Sequence, residues 1–248
     1  RCFVALAVSL AHILLLRVSF LCRCERGEID LWKMGDRLLD SGARIKLSIV
    51  IKIPEPPLLF AAIAGLVFDH HRGLLLASDR INHQVQVFSC DDGSLVSKFG
   101  KKGKKPGQFT RPDGIAIDHD HDRILVTDCF NHRVQLWSLS NQSLVRSIGK
   151  QGSGDREFRF PSGIAIDKHH HRIVIVDTYN HRLVFLSSID LSFLFSIGGI
   201  QGSQAGQFDC PSSIAIDDDR HRIIVLDTES HRVQVLSSID GSFLFEFG

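Results

Sequence analysis

Carboxylate and imidazole recur together along this chain. His83, His132, His181 and His231 each stand four residues after Asp79, Asp128, Asp177 and Asp227. Such a pairing is the usual equipment for general acid–base catalysis, and with further donors it can hold a metal. Catalysis, however, needs one asymmetric constellation, and these pairs return at matched places. They read as structural repeat positions, with each Asp expected to bind turn backbone donors or the neighbouring Arg and His. A second concentration lies in the runs DHHR, DHDHDR, DKHHHR and DDDRHR, which hold eight of the thirteen histidines. His169, His170 and His171 with nearby Asp residues offer transition-metal donors, but adjacent positions in a tight hairpin point apart. No metal site and no cofactor are expected, and no serine-nucleophile motif, phosphate loop or zinc-finger spacing appears.

A third set is cationic and aromatic. Lys101, Lys102, Lys104, Lys105 and Arg111 crowd one segment, and the corresponding segment downstream adds Lys150, Arg156 and Arg159, partly offset by Asp155 and Glu157. Ile81, Phe130, Tyr179 and Glu229 occupy equivalent places nearby. Basic loops of this kind attract phosphate, acidic protein or RNA at long range, and aromatics among them stack bases or anchor a peptide. The plain alternatives are soluble Lys-Gly turns and aromatics packed over their neighbours. The net charge of +1 decides nothing here.

The elements that carry these groups come from a unit of 49 to 50 residues written four times, over 60–100, 109–149, 158–198 and 208–248. Phe60, Phe109, Phe158 and Phe208 open the copies, and Gly100, Gly149, Gly198 and Gly248 close them. In the third copy GIAID (163–167), RIVIVD (172–177), RLVFLSS (182–188) and FLFSIG (193–198) are short β-branched or aromatic runs between turn residues. They read as four antiparallel strands, and four strands per repeat is the grammar of an all-β propeller blade. Because strands alternate direction, the joints between copies and the second-to-third-strand turns share one rim. That rim is basic, and the opposite rim is rich in acid and histidine.

The segments RPDGIAIDHDHDRILVTDCFNHRVQLWS (111–138) and FPSGIAIDKHHHRIVIVDTYNHRLVFLS (160–187) closely resemble the NHL repeat. The Asn-His stretch stands as Asn82-His83-Gln84, Asn131-His132-Arg133, Asn180-His181-Arg182 and Ser230-His231-Arg232. Gln84, Ser230 and Ser213 depart from the pattern, so less regular turns are expected in the end copies. The resemblance covers about residues 60–248 and implies a ring of about six blades. Four clear blades then make an incomplete ring, and a chain that starts at Arg1 and stops at a repeat boundary reads as a fragment. The resemblance further implies a non-catalytic platform recognising a protein partner, as in the C-terminal propeller of tripartite-motif ubiquitin ligases, whose RING domain is not in this sequence. RNA binding through the basic rim is the alternative. A propeller enzyme with a metal in its channel is the third reading, but the first strands (Leu66-Val67-Phe68, Ile115-Ala116-Ile117, Ile164-Ala165-Ile166, Ile214-Ala215-Ile216) carry no ligand. No small-molecule substrate is expected.

Residues 1–53 are of another kind. The apolar run 4–21 is interrupted by His12 and Arg17, and it reads as a membrane or signal segment, a mistranslated exon or a soluble helix. A membrane enters the reading through this run alone. Residues 27–52 are candidates for the last strands of a degenerate blade, and the Pro-rich stretch 54–59 is a stiff linker. Cys90, Cys129 and Cys210 fall at different repeat positions, which argues against structural bridges and for a reduced, cytoplasmic propeller.

Overall fold

The computed structural model describes residues 62–248, together with the backbone of three strands upstream. Those strands, β1 (Ser19–Glu25), β2 (Glu28–Met34) and β3 (Ser48–Lys52), pair antiparallel in the order β1-β2-β3. The rest of 1–61 lies outside the described residues, and with it Phe60, most of the apolar run 4–21 and the linker 54–59. Among the described residues no helix is long and apolar enough to cross a membrane.

Residues 63–247 form four blades of a β-propeller, each a four-stranded antiparallel meander. Blade one is β4 (Ile63–Asp69), β5 (Leu74–Asp79), β6 (Gln84–Ser89) and β7 (Leu95–Phe99). Blade two is β8 (Pro112–Asp118), β9 (Arg123–Asp128), β10 (Arg133–Ser138) and β11 (Leu144–Ile148). Blade three is β12 (Pro161–Asp167), β13 (Arg172–Asp177), β14 (Arg182–Ser187) and β15 (Phe193–Gly198). Blade four is β16 (Pro211–Asp217), β17 (Arg222–Asp227), β18 (Arg232–Ser237) and β19 (Phe243–Phe247). The first strands of successive blades stand side by side.

The core lies between blades rather than within them. Each blade is one sheet thick, so a middle blade buries both faces, and its central strands need not alternate. The sequence pattern suggests alternation in RLVFLSS, but Arg182 through Leu186 are all buried, as is the whole of β13. Val134, Leu136, Ile148, Phe158, Ile164, Ile173 and Ile175 form one such interblade layer. Blade four has no neighbour on its far side among the described residues. There Leu226, Phe245 and Phe247 are exposed, where blade three buries Val176 and half-buries Phe195 and Ile197.

Two kinds of device set the blade spacing. Phe109, Phe158 and Phe208 are fully buried plugs, and the N–H of Phe158 donates to the carbonyl of Lys150 at 2.9 Å. Gly149 must be glycine there: its φ is +98°, and a Cβ would lie 2.5 Å from the Phe158 ring. Near the first strands, the Thr127 hydroxyl accepts from Gly114 N–H at 2.7 Å and donates across the interface to the Ser162 carbonyl at 2.6 Å.

Candidate partner-binding rim

The second hairpin turn of each middle blade is a short 3-10 turn, Cys129–Asn131 and Thr178–Asn180, closed by a histidine in the left-handed region. Blades one and four lack the 3-10 turn, in the copies where Gln84 and Ser230 depart from the pattern, yet His83 and His231 keep φ of 55° and 52°. In blade two the buried Asp128 carboxylate accepts from Thr110 N–H at 2.7 Å, Asn131 Nδ2 at 2.8 Å, Arg133 Nε at 2.8 Å and Gln135 Nε2 at 3.1 Å. Arg133 then donates to the carbonyls of Lys104, Lys105 and Gln108 at 3.0, 3.0 and 2.6 Å. The result is a staple that fixes the preceding joint, residues 100–111, to the turn. Blade three repeats it with Asp177, Asn180 and Arg182 on the joint 149–160, and blade four with Asp227 and Arg232 on the joint 198–210. In blade one Asp79 accepts from Ile81 and Asn82 N–H, and Gln84 supplies no guanidinium.

The histidines do something the sequence does not disclose. Of the expected partners of the turn Asp, backbone donors and the neighbouring Arg are found on Asp128 and Asp177, and the His is not. Instead, Nδ1 of His83, His132 and His181 accepts the backbone N–H of Arg111, Phe160 and Cys210, at 3.0, 3.1 and 3.1 Å. The left-handed φ points each ring across the interface, so the turn of one blade latches the joint that leads into the next. Burial first, then the Lys102 charge, pushes the His83 imidazole below its ordinary value, and burial and then Arg159 do the same to His132. Both histidines are therefore more acidic folded than unfolded. The stability they give is complete above the unfolded value of 6.5 and is lost as pH falls below it toward the folded value. The urea midpoint should fall between about pH 7.5 and about pH 5. His132→Asn, which tolerates left-handed backbone, should unfold at lower urea at the higher pH but with a shallower acid slope. An unchanged slope would remove His132 from the latch.

On this frame the cationic and aromatic groups come together. Lys101, Lys102, Lys104, Lys105 and Arg111 are exposed on the joint between blades one and two. Lys150, Arg156 and Arg159 are exposed on the next joint, with Lys150 held by Glu157 at 3.1 Å. The Arg111 guanidinium lies 4.6 Å from the Phe130 ring centre. Phe130 meets Phe160 edge-on at 5.3 Å, and Phe160 meets His132 at 4.5 Å and Tyr179 at 5.1 Å. Phe130 and Tyr179 remain 43% and 54% exposed, so both neighbour packing and accessibility hold at once. Sequence reading passes over Phe160, because it looks like an ordinary residue before Pro161. The signal lies in lining up the residue before each joint proline, which is Arg111, Phe160 and Cys210 in turn.

On the opposite rim two histidines of the first turns are held by acids of their own hairpins, and His119 lies 3.9 Å from Asp69 of the preceding blade. His121 Nδ1 lies 3.0 Å from Asp118 and His170 Nδ1 3.0 Å from Asp167. Arg123 and Arg172 bind the same carboxylates and reach the Ser188 and Ser238 carbonyls of the following blades. His169, His170 and His171 do not converge. Among the described residues, three metal-competent donors meet only at His181, Asp209 and Cys210, on the first rim.

Comparison with known proteins fits this geometry. A family model described as a 6-bladed beta-propeller matches residues 63–146, and the NHL repeat model matches 158–184 and 208–236. No curated protein matches. Among solved structures, the hydrazine synthase of Kuenenia stuttgartiensis is similar at 14% identity and a TM-score of 0.54, over 70% of this chain and 45% of that one. A structure of U3-55K is similar at 16% identity and 0.58, over 75% and 51%. The chain thus spans about half the length of these two. A crystal structure of a nidogen/laminin complex is similar at 13% identity and 0.65, over 92% and 80%. At such identities these likenesses speak for the fold alone. With the repeat model on the third and fourth blades and the propeller model on the first two, the chain is a β-propeller that carries NHL repeats.

Proposed function

We propose that the rim of joints and second hairpin turns is a recognition surface for an acidic segment of a protein partner. The observation that carries this reading is the ledge of Phe130, Phe160 and Tyr179 set beside exposed lysines. One face of Phe130 is covered by Arg111, and Phe160 packs against the ring at a steep angle. A base would have only the remaining face of Phe130 to stack on, whereas a peptide side chain can seat against the ledge as a whole while its carboxylates meet the lysines. The nidogen/laminin structure, a complex between proteins, lends the propeller class a precedent of the same kind. In the finer reading, this surface selects the substrate of a tripartite-motif-type ubiquitin ligase, with ligase chemistry in a RING domain outside these 248 residues. The RNA reading draws on the same lysines.

Peptide display on the full chain tests it. The selected sequences should be acidic with one aromatic or aliphatic anchor. Changing Lys101, Lys102, Lys104 and Lys105 to Glu should weaken them about 100-fold, and Phe130→Ala with Tyr179→Ala about 30-fold, the scale of a lost hot spot. Peptides that bind all variants equally would overturn the reading. A mobility shift with cellular RNA at two salt concentrations, lost in the lysine variant while no acidic peptide is selected, would transfer the rim to RNA.

A further inference from the structure

The rim changes character from one joint to the next. Residues 100–111 carry four lysines and an arginine, while 199–210 contain no lysine or arginine at all. The residue pair facing the latch histidine changes as well. Beside His83 stand Thr110 and Arg111, beside His132 stand Arg159 and Phe160, and beside His181 stand Asp209 and Cys210. Repetition counts against chemistry at the Asp and His positions taken as a set, and here it is broken.

A ring nitrogen of His181, an Asp209 carboxylate oxygen and the Cys210 sulfur all lie within 4.8 Å of one another. Nδ1 is 3.5 Å from Asp209 Oδ1. Because Nδ1 accepts the Cys210 N–H, it is unprotonated, the state in which a ring nitrogen ligates. Both Asp209 oxygens accept from Gln201 Nε2, at 3.0 and 3.1 Å, which orients the carboxylate as an outer-sphere partner does. The Asp209 N–H is tied to Asp227 at 2.6 Å, and Cys210 is held at φ +48°. All three donors are partly buried, so a cation can enter without unfolding the joint.

We infer that His181, Asp209 and Cys210 form a binding site for a divalent cation of the zinc class. An imidazole, a carboxylate and a thiolate are the mixed N, O and S donor set that Zn2+ favours, and three protein ligands leave a tetrahedral position for water or a partner's donor. Binding exchanges the Cys210 thiol proton, released to solvent, for the metal. Burial and the nearby charges of Asp209, Glu229 and Asp227 hold that thiol protonated, and the same field draws in a dication that can replace the proton. A metal on Nδ1 also takes the lone pair now given to the Cys210 N–H, so occupancy acts directly on the joint between blades three and four. The inference does not rest on the peptide reading: His181 shares the second turn of blade three with Tyr179, but the three donors include none of that reading's lysines or rings.

Cobalt titration of the full chain under reducing conditions tests it. Co2+ should give a thiolate charge-transfer absorption that saturates and is bleached by Zn2+. Cys210→Ser should remove one thiolate's share of that absorption, read as the difference from wild type, and Asp209→Asn should weaken binding at least tenfold. Cys129→Ser should leave the spectrum as it was, since that thiol is buried and pushed up to about 12. An absorption of equal intensity and midpoint in wild type and Cys210→Ser, with matching unfolding curves, overturns the site.

Discussion

Asp177→Ala is expected to lower the unfolding free energy by about 3–5 kcal/mol, the cost of breaking a buried ion pair by removing one partner. Asp177 is fully buried and accepts from Arg159 N–H at 2.6 Å, Asn180 Nδ2 at 2.7 Å and Arg182 Nε at 2.8 Å. Burial pushes its carboxyl up, and those three donors, together with the Arg182 charge, oppose the shift. Alanine leaves the Arg182 charge buried, with only the carbonyls of Ser153, Gly154 and Glu157 around it, and it strands the Arg159 N–H. Asp177→Asn keeps an acceptor for that N–H and should lose less. Asp190→Ala is the control: Asp190 caps an exposed turn through Ser192, which holds its carboxyl down at about 2. Its urea midpoint should stay near that of the wild type. If Asp177→Ala behaves like Asp190→Ala, the staple contributes nothing and the joints are held by packing alone.

The staple also marks the limit of what the sequence discloses. A repeat aligns residues with their counterparts, so whatever one blade does alone is legible: the strand 172–177, the glycine that closes each copy, the Asp at each turn and the rim each turn occupies. Contacts between blades join residues that occupy different positions in the repeat. His132 and Phe160 are 28 positions apart, as are Asn180 and Gly152, and no periodicity links them. A carboxylate and a histidine four residues apart look like partners, and only the left-handed backbone at the histidine sends its ring to the next joint instead. Phe160 and Cys210 look like variation at an unimportant position, and Arg111 like one more cation of the rim, until the latch brings each one beside an imidazole. The grouping of metal-competent donors follows the same rule. Crowding in sequence favours His169 to His171, whereas convergence in space picks His181.

Phe158→Ala should cost about as much, about 3–5 kcal/mol for emptying a fully buried aromatic site. The ring has no exposed surface and packs in the layer that contains Val134, Leu136, Ile164 and Ile175. Because Gly149 has no side chain, the ring sits directly on its backbone, and relaxation from that side would require the joint itself to collapse. Stability and recognition meet at this residue. The Phe158 N–H is bound to Lys150 and its carbonyl to Gly152 N–H at 3.2 Å, so the plug fixes both ends of the joint. Arg159 follows it directly, and Phe160, the middle ring of the ledge, stands two residues on. Urea unfolding followed by circular dichroism should give the predicted loss. Peptide binding below the transition should weaken in Phe158→Ala although no ligand-facing side chain has changed. Phe158→Leu, which refills most of the site, should recover much of both. A loss under about 1 kcal/mol, the average for any substitution, would mean that the backbone bonds and the Arg182 staple hold the joint without the plug. Full peptide affinity in a destabilised Phe158→Ala would separate the ledge from the core that we take to support it.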